Sequence, residues 1–176
     1  MYKPASLRRH LSAAVPELAR DPDKLSLLVK SGRVACAGSA SLSFEYRYTL
    51  QLVVLDYAGA ADAVVLPTLV WLRTHQPEYF DNPQQRDADF RFEAEYNNAT
   101  TIDLLIELQL TERVRVQPVG ADATAPGRFQ IEHLGEPPHP GKIETAERWS
   151  FWFKDDLLAE WDYGPRTFDH APRMES

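Results

Sequence analysis

Apolar and polar side chains alternate along the segment from Phe44 to Asp56. The apolar positions on one side of this alternation are Phe44, Tyr46, Tyr48, Leu50, Leu52 and Val54. An alternation with a period of two residues predicts a half-buried β-strand. The polar side becomes apolar at Val53 and Leu55. We therefore expect this end of the strand to be buried on both faces of a sheet.

An apolar helix is predicted directly after this strand. Asp62 is a suitable N-cap, and the helix is expected to run to about His75 before Pro77 ends it. Pro67 lacks a backbone donor, so we place it within the first two turns. The apolar positions cover far more than the stripe of about 100° that a surface helix needs. This helix should be buried on more than one side, either by N-terminal helices or by a neighbouring subunit.

Two short helices are predicted before the long strand. The first opens at Pro4, and the second opens at Pro22 and is closed by Gly32. A short strand is expected over residues 33–39, although its alanine and glycine content is unusual for a strand.

Further strands are predicted in the second half of the chain. Alternation over residues 90–96 and 102–110, with Asn97 and Asn98 between them, predicts an antiparallel hairpin. Residues 114–116 are expected to continue the second of these strands. Residues 129–134 are expected to form one more strand, and the strands of a hairpin rich in tryptophan are expected near the C-terminus.

These elements define an α+β fold. We expect a mixed, largely antiparallel β-sheet packed on one face by two to three helices, with a C-terminal β-hairpin. The predicted organisation is a domain over residues 1–136, a proline-rich connector over 137–147, the hairpin over 148–163 and a flexible tail over 164–176.

Composition narrows the functional classes. The chain has 176 residues and a formal net charge of −7, which argues against a protein that coats nucleic acid. Residues 1–58 carry eight Lys and Arg against five Asp and Glu, whereas residues 78–112 carry two against nine. This polarity either orients one subunit against the next or reflects solvated faces of different sign. The single cysteine, Cys36, excludes an internal disulfide and is expected to be a small buried residue. The N-terminus lacks the apolar core of a signal peptide, so folding in a cytoplasm is expected.

The sequence lacks a recognisable catalytic or cofactor motif. The five histidines are scattered without metal-ligand spacing, and no phosphate-binding glycine loop or nucleophile elbow is present. Glu93, Glu95, Asp103 and Glu107 are spaced to face solvent across paired strands, although opposed carboxylates can also bind a cation. We expect no enzyme activity, no cofactor and no metal.

Large aromatic residues are the candidates for a protein interface, because such side chains concentrate binding energy there. The candidates are Phe44, Tyr46, Tyr48, Trp71, Trp152 and Trp161. An isolated hairpin is marginally stable in water, so the C-terminal aromatics must be covered. They pack either on their own domain or on a neighbouring protein.

Several short segments, in order along the chain, resemble the R-type tail completion proteins of contractile-tailed temperate bacteriophages. These segments are KPASLRRHL at Lys3–Leu11, SLSFEYRYTL at Ser41–Leu50, the strand end VVLDY, LPTLVWLRTHQPE at Leu66–Glu78 and LTER at Leu110–Arg113. The resemblance reaches to about Val116 and returns only at the C-terminal hairpin.

This resemblance implies a structural role at the head-proximal end of the tail, as a terminator-like ring that prepares the tail for head joining. The implied partners are other copies of the chain, the tail tube protein and possible sheath and head-tail connector proteins, with DNA passing through the lumen and no membrane. Because tail tubes are expected to be sixfold, a hexamer is favoured. The particle that carries such a tail is either a complete virion or a headless tail-like bacteriocin. The alternatives are a soluble assembly adaptor or chaperone that is not retained in the particle, and a small carboxylate-dependent enzyme.

Overall fold

The alternating segments pair into one antiparallel sheet that carries a layer of helices on one face. A computed structural model describes residues 1–36, 38, 42–81, 90–97, 100–119, 128–136, 147–153 and 155–163. The helices are α1 (Lys3–Ala14), α2 (Pro16–Arg20), α3 (Asp62–His75) and α4 (Glu78–Asp81), with a 3₁₀ turn at Pro22–Lys24. The strands are β1 (Leu25–Cys36), β2 (Phe44–Tyr57), β3 (Phe90–Tyr96), β4 (Ile102–Val119), β5 (Arg128–Leu134), β6 (Glu147–Phe153) and β7 (Asp156–Tyr163).

The main sheet has the strand order β1-β2-β4-β3, and β5 also pairs with β4. Every pairing among the described strands is antiparallel. β3 pairs with residues 102–108 of β4 and β5 pairs with residues 113–119, along the edge of β4 that faces away from β2. The half of the sheet that contains β5 extends past the helices, and we call it the arm: residues 31–36, 44–47, 112–119 and 128–134.

The core lies between the helix layer and one face of the sheet, which we call the helix face. Alternate residues of β2 and β4 point into this core, and α1 and α3 pack on them. The fully buried apolar residues of β2 and β4 include Leu50, Leu52, Val54, Leu104, Ile106 and Leu108. Each side chain of this kind contributes about 1.5–3 kcal/mol through removal from water. The predicted α+β class, with its largely antiparallel sheet and C-terminal hairpin, is confirmed.

The C-terminal hairpin packs on the helices of its own chain. Ala159 and Trp161 of β7 are buried against α1 and α3, where Trp161 meets the edge of the His10 ring at 5.6 Å. This hairpin and α1 both pack on α3, which is therefore buried on more than one side, although Leu66 stays exposed. The predicted connector, except for its last residue, and the predicted tail lie outside the described residues.

One predicted helix is a strand. Residues 25–29 were expected in the second short helix, but they form the first half of β1 and pair with residues 50–54 of β2. Leu25, Leu27 and Val29 point to the core in the alternation of a strand, and the long exposed edge of β2 provides their partner. Pairing with a distant segment here overrides a local leucine-rich pattern that also suits a helix.

The face of the sheet opposite the helices, the open face, is uncovered in the described structure. Leu55 is 45% exposed and Val53 is partly exposed, so the expectation that this end of β2 is buried on both faces is wrong. Cys36 is exposed rather than buried, because β1 ends in the arm beyond the helix layer. Within the described part of the chain, none of the helices combines the length and apolar character that a membrane span needs.

Candidate interaction surfaces

Three of the six candidate interface aromatics are buried in the core. Trp71 lies under α1, donates its indole N–H to Ser6 Oγ at 3.1 Å and stacks on His75 at 4.5 Å. Trp161 packs edge-on against Phe151, with ring centroids 4.9 Å apart. Tyr48 is also buried. These three side chains offer little surface to a partner.

The other three candidates lie at the periphery. Phe44 and Tyr46 sit at the root of the arm, partly exposed, and meet edge to face at 5.0 Å. Trp152 is 60% exposed on the outer side of the C-terminal hairpin, where its indole N–H donates to Ser150 Oγ at 3.0 Å. An interface role therefore stays proposed for these three residues.

Part of the helix face of the arm is apolar and is left exposed by the described residues. Past the amino-terminal end of α1, this face carries a row of exposed side chains from β1 and β5. They are Val34, Phe129 and Ile131, the last 64% exposed. Patches of this kind on a soluble protein commonly mark contact sites.

The start of α1 is capped by a carboxylate far away in the chain. Glu112 of β4 accepts hydrogen bonds from the backbone amides of Tyr2 at 2.8 Å and Lys3 at 3.3 Å. It also accepts the hydroxyl of Tyr48, and His133 Nδ1 lies 3.4 Å from it. The first amides of a helix have no partner within the helix, and a carboxylate there satisfies them and favours the helix dipole.

Lys3 extends this buried cluster on the other side. Its ammonium donates to Gln76 Oε1 at 2.7 Å and to Glu136 Oε1 at 3.1 Å, and Glu136 also pairs with Arg113 at 3.3 Å. Burial lowers the pKa of Lys3, and the carboxylate of Glu136 opposes that shift. Lys3 and Glu136 thus each have an opposite charge beside them, which is the condition for burying ions.

Gln76 also closes a gap in the sheet edge. Between β3 and β5, residues 109–112 of β4 have no described strand on the side away from β2. The amide of Gln109 donates to Tyr79 Oη at 2.6 Å, and the amide of Thr111 donates to Gln76 Oε1 at 3.1 Å. Side chains from the segment around α4 therefore replace the missing strand.

Burial of tyrosine beside Glu112 has an electrostatic consequence. The pKa of Tyr48 is raised by burial first and by the charge of Glu112 second, and the same two causes raise the pKa of Tyr2. Both phenols stay neutral, and the Tyr48 hydroxyl donates to the carboxylate. Because Glu112 is fully buried and its oxygens are occupied, it is an anchor within the fold rather than a group that a substrate can reach.

Four of the segments on which the family resemblance rests meet in this cluster. They supply Lys3, Tyr48, Gln76 and Glu112, one from each segment. Sequence reasoning missed the cluster. The available signal was Glu112 itself, which occupies an inward position of the β4 alternation between Leu110 and Val114.

The carboxylates predicted on the open face are present there, but Glu107 and Asp103 contact different partners. Glu107 binds Lys30 at 2.8 Å and Gln51 at 2.8 Å, and these contacts lower its pKa, that with Lys30 first. Asp103 accepts the side-chain amide of Asn97 at 2.8 Å. Among the described residues, no group of three or more potential ligands is arranged to hold a metal ion.

Charge on the open face is polarised from one end to the other. Arginines collect toward the arm, at Arg33, Arg47, Arg113 and Arg115. Carboxylates collect at the opposite end, where Glu95 lies directly across from Asp103 and Glu93 precedes them on β3. Glu45 and Glu132 lie among these arginines and pair with Arg47 and Arg115, so part of the positive charge at the arm is neutralised within the subunit.

A protein-family model and one phage protein match this chain over most of its length. The family model described as P2 phage tail completion protein R (GpR) matches residues 1–137. Tail completion protein R of Escherichia phage P2 is 37% identical over 162 residues, which cover 92% of this chain and 99% of that protein. No solved structure matches.

Proposed function

The chain belongs to the P2 phage tail completion protein R family, and on that premise we propose that it caps the head-proximal end of the phage tail as a closed ring. The match to a tail completion protein over nearly the whole of both chains carries this proposal. It supports a structural role in tail assembly. Capping, ring closure and head joining are the parts that we add.

The ring is supported by surfaces that one copy leaves uncovered. The apolar helix face of the arm, the open face of the sheet and the exposed Trp152 need partners of a kind that neighbouring copies or tail proteins provide. A cap on a tube avoids mismatched contacts when it shares the symmetry of the tube. We therefore favour six subunits, and six chains of 20.0 kDa give a particle of about 120 kDa.

One face of the ring would bind the last ring of the tail tube, and sheath if it is present. The other face would offer a new surface to the head-tail connector. A net charge of −7 per subunit makes a lumen that repels DNA, so the genome would slide through without specific binding. In this role the protein acts by binding and not by catalysis.

The proposal is tested by measuring the mass of the purified full-length protein in solution over a range of concentrations and by imaging the particles. We expect a ring of about 120 kDa with sixfold projections. Purified phage particles are probed in parallel with an antibody to this chain, which should label the tail where it meets the head.

Two results would contradict the proposal. A chain that stays a monomer at every concentration cannot form the ring. A chain that is absent from purified particles, although the tails are complete, would instead favour a soluble assembly adaptor or chaperone.

A further inference from the structure

The two outer strands of the main sheet have free edges. β1 lies at one edge and β3 at the other, and no described strand pairs with the outer side of either. From Lys30 to its end β1 is exposed throughout, and Phe92 of β3 is 63% exposed. Free edges of this length are sites where another chain can add, and proteins normally protect them.

The charges on these edges are opposite. β1 carries Lys30 and Arg33 and no acidic residue, whereas β3 carries Glu93 and Glu95. The one basic residue of β3, Arg91, lies across from Glu107 of β4, which offsets its charge. All four edge charges lie on the open face.

These edge charges are available to a partner. Lys30 binds Glu107 but its side chain is 56% exposed, so its ammonium retains further donors. Arg33, Glu93 and Glu95 are exposed, and none of them forms an ion pair with another residue of the described ranges. Their charges are not neutralised by ion pairs within the part of the subunit that the structure describes.

Strand direction favours a head-to-tail contact. The four strands alternate in direction across the order β1-β2-β4-β3, so β1 of a second copy placed beside β3 in the same orientation continues the alternation. Contact of β1 with β1, or of β3 with β3, would instead oppose like charges, which is unfavourable. A head-to-tail contact repeated around an axis gives a ring.

We propose that β1 of one copy lies along β3 of the next, with Lys30 and Arg33 against Glu93 and Glu95. The occupant of each edge is thus a second copy of this chain. An unstaggered contact would set Glu93 level with Ser26, which occupies its row of the sheet. A stagger of about six residues per copy sets Glu93 level with Arg33 and Glu95 level with the bulge at Lys30, and closed sheets require a stagger of this kind. This inference rests on the ring under the proposed function and names its interface.

The test uses charge reversal on each edge of the full-length chain. The β1 variant carries Lys30→Glu and Arg33→Glu, and the β3 variant carries Glu93→Lys and Glu95→Lys. Each variant alone places like charges at every contact, so we expect at least a tenfold loss of ring at a concentration where the unaltered chain is fully assembled. The variant with all four changes restores opposite charges and should form rings again.

Mixing the two single-edge variants is the sharpest measurement. Each contact then pairs an altered edge with its complement, so we expect rings in which the two variants alternate, with equal numbers of each by native mass spectrometry. The control variant R20E/R73E makes the same change in net charge as the β1 variant, on exposed residues of α2 and α3, and it should assemble normally. Circular dichroism checks that each variant is folded, and E93Q/E95Q, which only neutralises β3, should weaken assembly less.

The outcomes separate the two proposals. If the unaltered chain forms rings and the single-edge variants do so equally well, the edge contact is wrong and the ring stands. If folded single-edge variants fail to assemble and neither the mixture nor the four-change variant recovers rings, the edge contact is also wrong. If the unaltered chain never forms a ring, both proposals are wrong.

Discussion

Glu112 Oε2 accepts the backbone amide of Tyr2 at 2.8 Å, across 110 residues of sequence. This hydrogen bond joins the first turn of α1 to the middle of β4. Around it, Lys3, Gln76 and Glu136 form a buried network that includes the first helix, the end of α3 and the segment after β5. The network fixes where the helix layer ends and the arm begins.

Loss of the Glu112 carboxylate should destabilise the fold strongly. In Glu112→Ala the amides of Tyr2 and Lys3 and the hydroxyl of Tyr48 lose their acceptor, so we expect the free energy of unfolding to fall by about 4 kcal/mol. Urea denaturation measures the change. Glu132→Ala, which removes an exposed carboxylate paired with Arg115, is the control and should cost less than about 1 kcal/mol. Equal losses in the two variants would show that Glu112 is not an anchor.

The ion pair between Lys3 and Glu136 should show strong coupling. Lys3→Met keeps the apolar stem but leaves the Glu136 carboxylate buried beside Arg113 alone, at an expected cost of about 3 kcal/mol. Adding Glu136→Gln removes that charge, so the double variant should be more stable than Lys3→Met. A double-mutant cycle by urea denaturation gives the coupling energy. Simple additivity of the two substitutions would contradict the buried pair.

Tyr57 should make stability fall in alkaline solution. Burial, aided by the charge of Glu17, raises the pKa of Tyr57 from 10.0 to about 12. The unfolded chain ionises this phenol first, so its contribution is complete below pH 10 and is lost as the pH rises toward 12. The loss should reach about 3 kcal/mol.

Tyr57→Phe isolates this effect. The stability of this variant, measured by urea denaturation from pH 8 to 12, should fall less steeply than that of the unaltered chain. Tyr96→Phe removes a phenol that is 79% exposed and should keep the steep fall. Parallel curves for Tyr57→Phe and the unaltered chain would refute the assignment.

The two tryptophans of the C-terminal hairpin should behave differently. Trp161→Ala leaves a cavity between β7 and the helices and should cost about 3–5 kcal/mol. Trp152→Ala, at an exposed position, should change stability by less than about 0.5 kcal/mol. If Trp152 contacts another tail protein, its variant will fold normally yet reach fewer finished particles, which quantitative immunoblotting of purified phage measures. A large stability loss in Trp152→Ala would place this residue in the core.

Much of the sheet was predictable because its pattern is local. Alternation marked β2, β3 and the first half of β4, and their pairing agrees with it. β1 was mistaken for a helix in part, because its leucines satisfy both periodicities and only the edge of β2 decides between them. Cys36 was expected inside because small apolar neighbours usually indicate burial, whereas the helix layer stops before it.

The polar anchor was harder to predict than the sheet. Lys3, Gln76 and Glu136 are ordinary surface residue types, and only tertiary pairing makes their burial favourable. The edges of the sheet were predictable in one respect and not in another. Their charges were visible in the sequence, but the strand order that places β1 and β3 at opposite sides was not.

The hydrogen bond between Tyr2 and Glu112 also limits the order in which the chain can fold during its synthesis. The ribosome releases the amino end first, yet the acceptor for its helix is translated 110 residues later. Until β4 has emerged, α1 lacks its cap, and a short isolated helix is marginal in water. Helix α1 therefore cannot be capped until more than half of the chain has been translated.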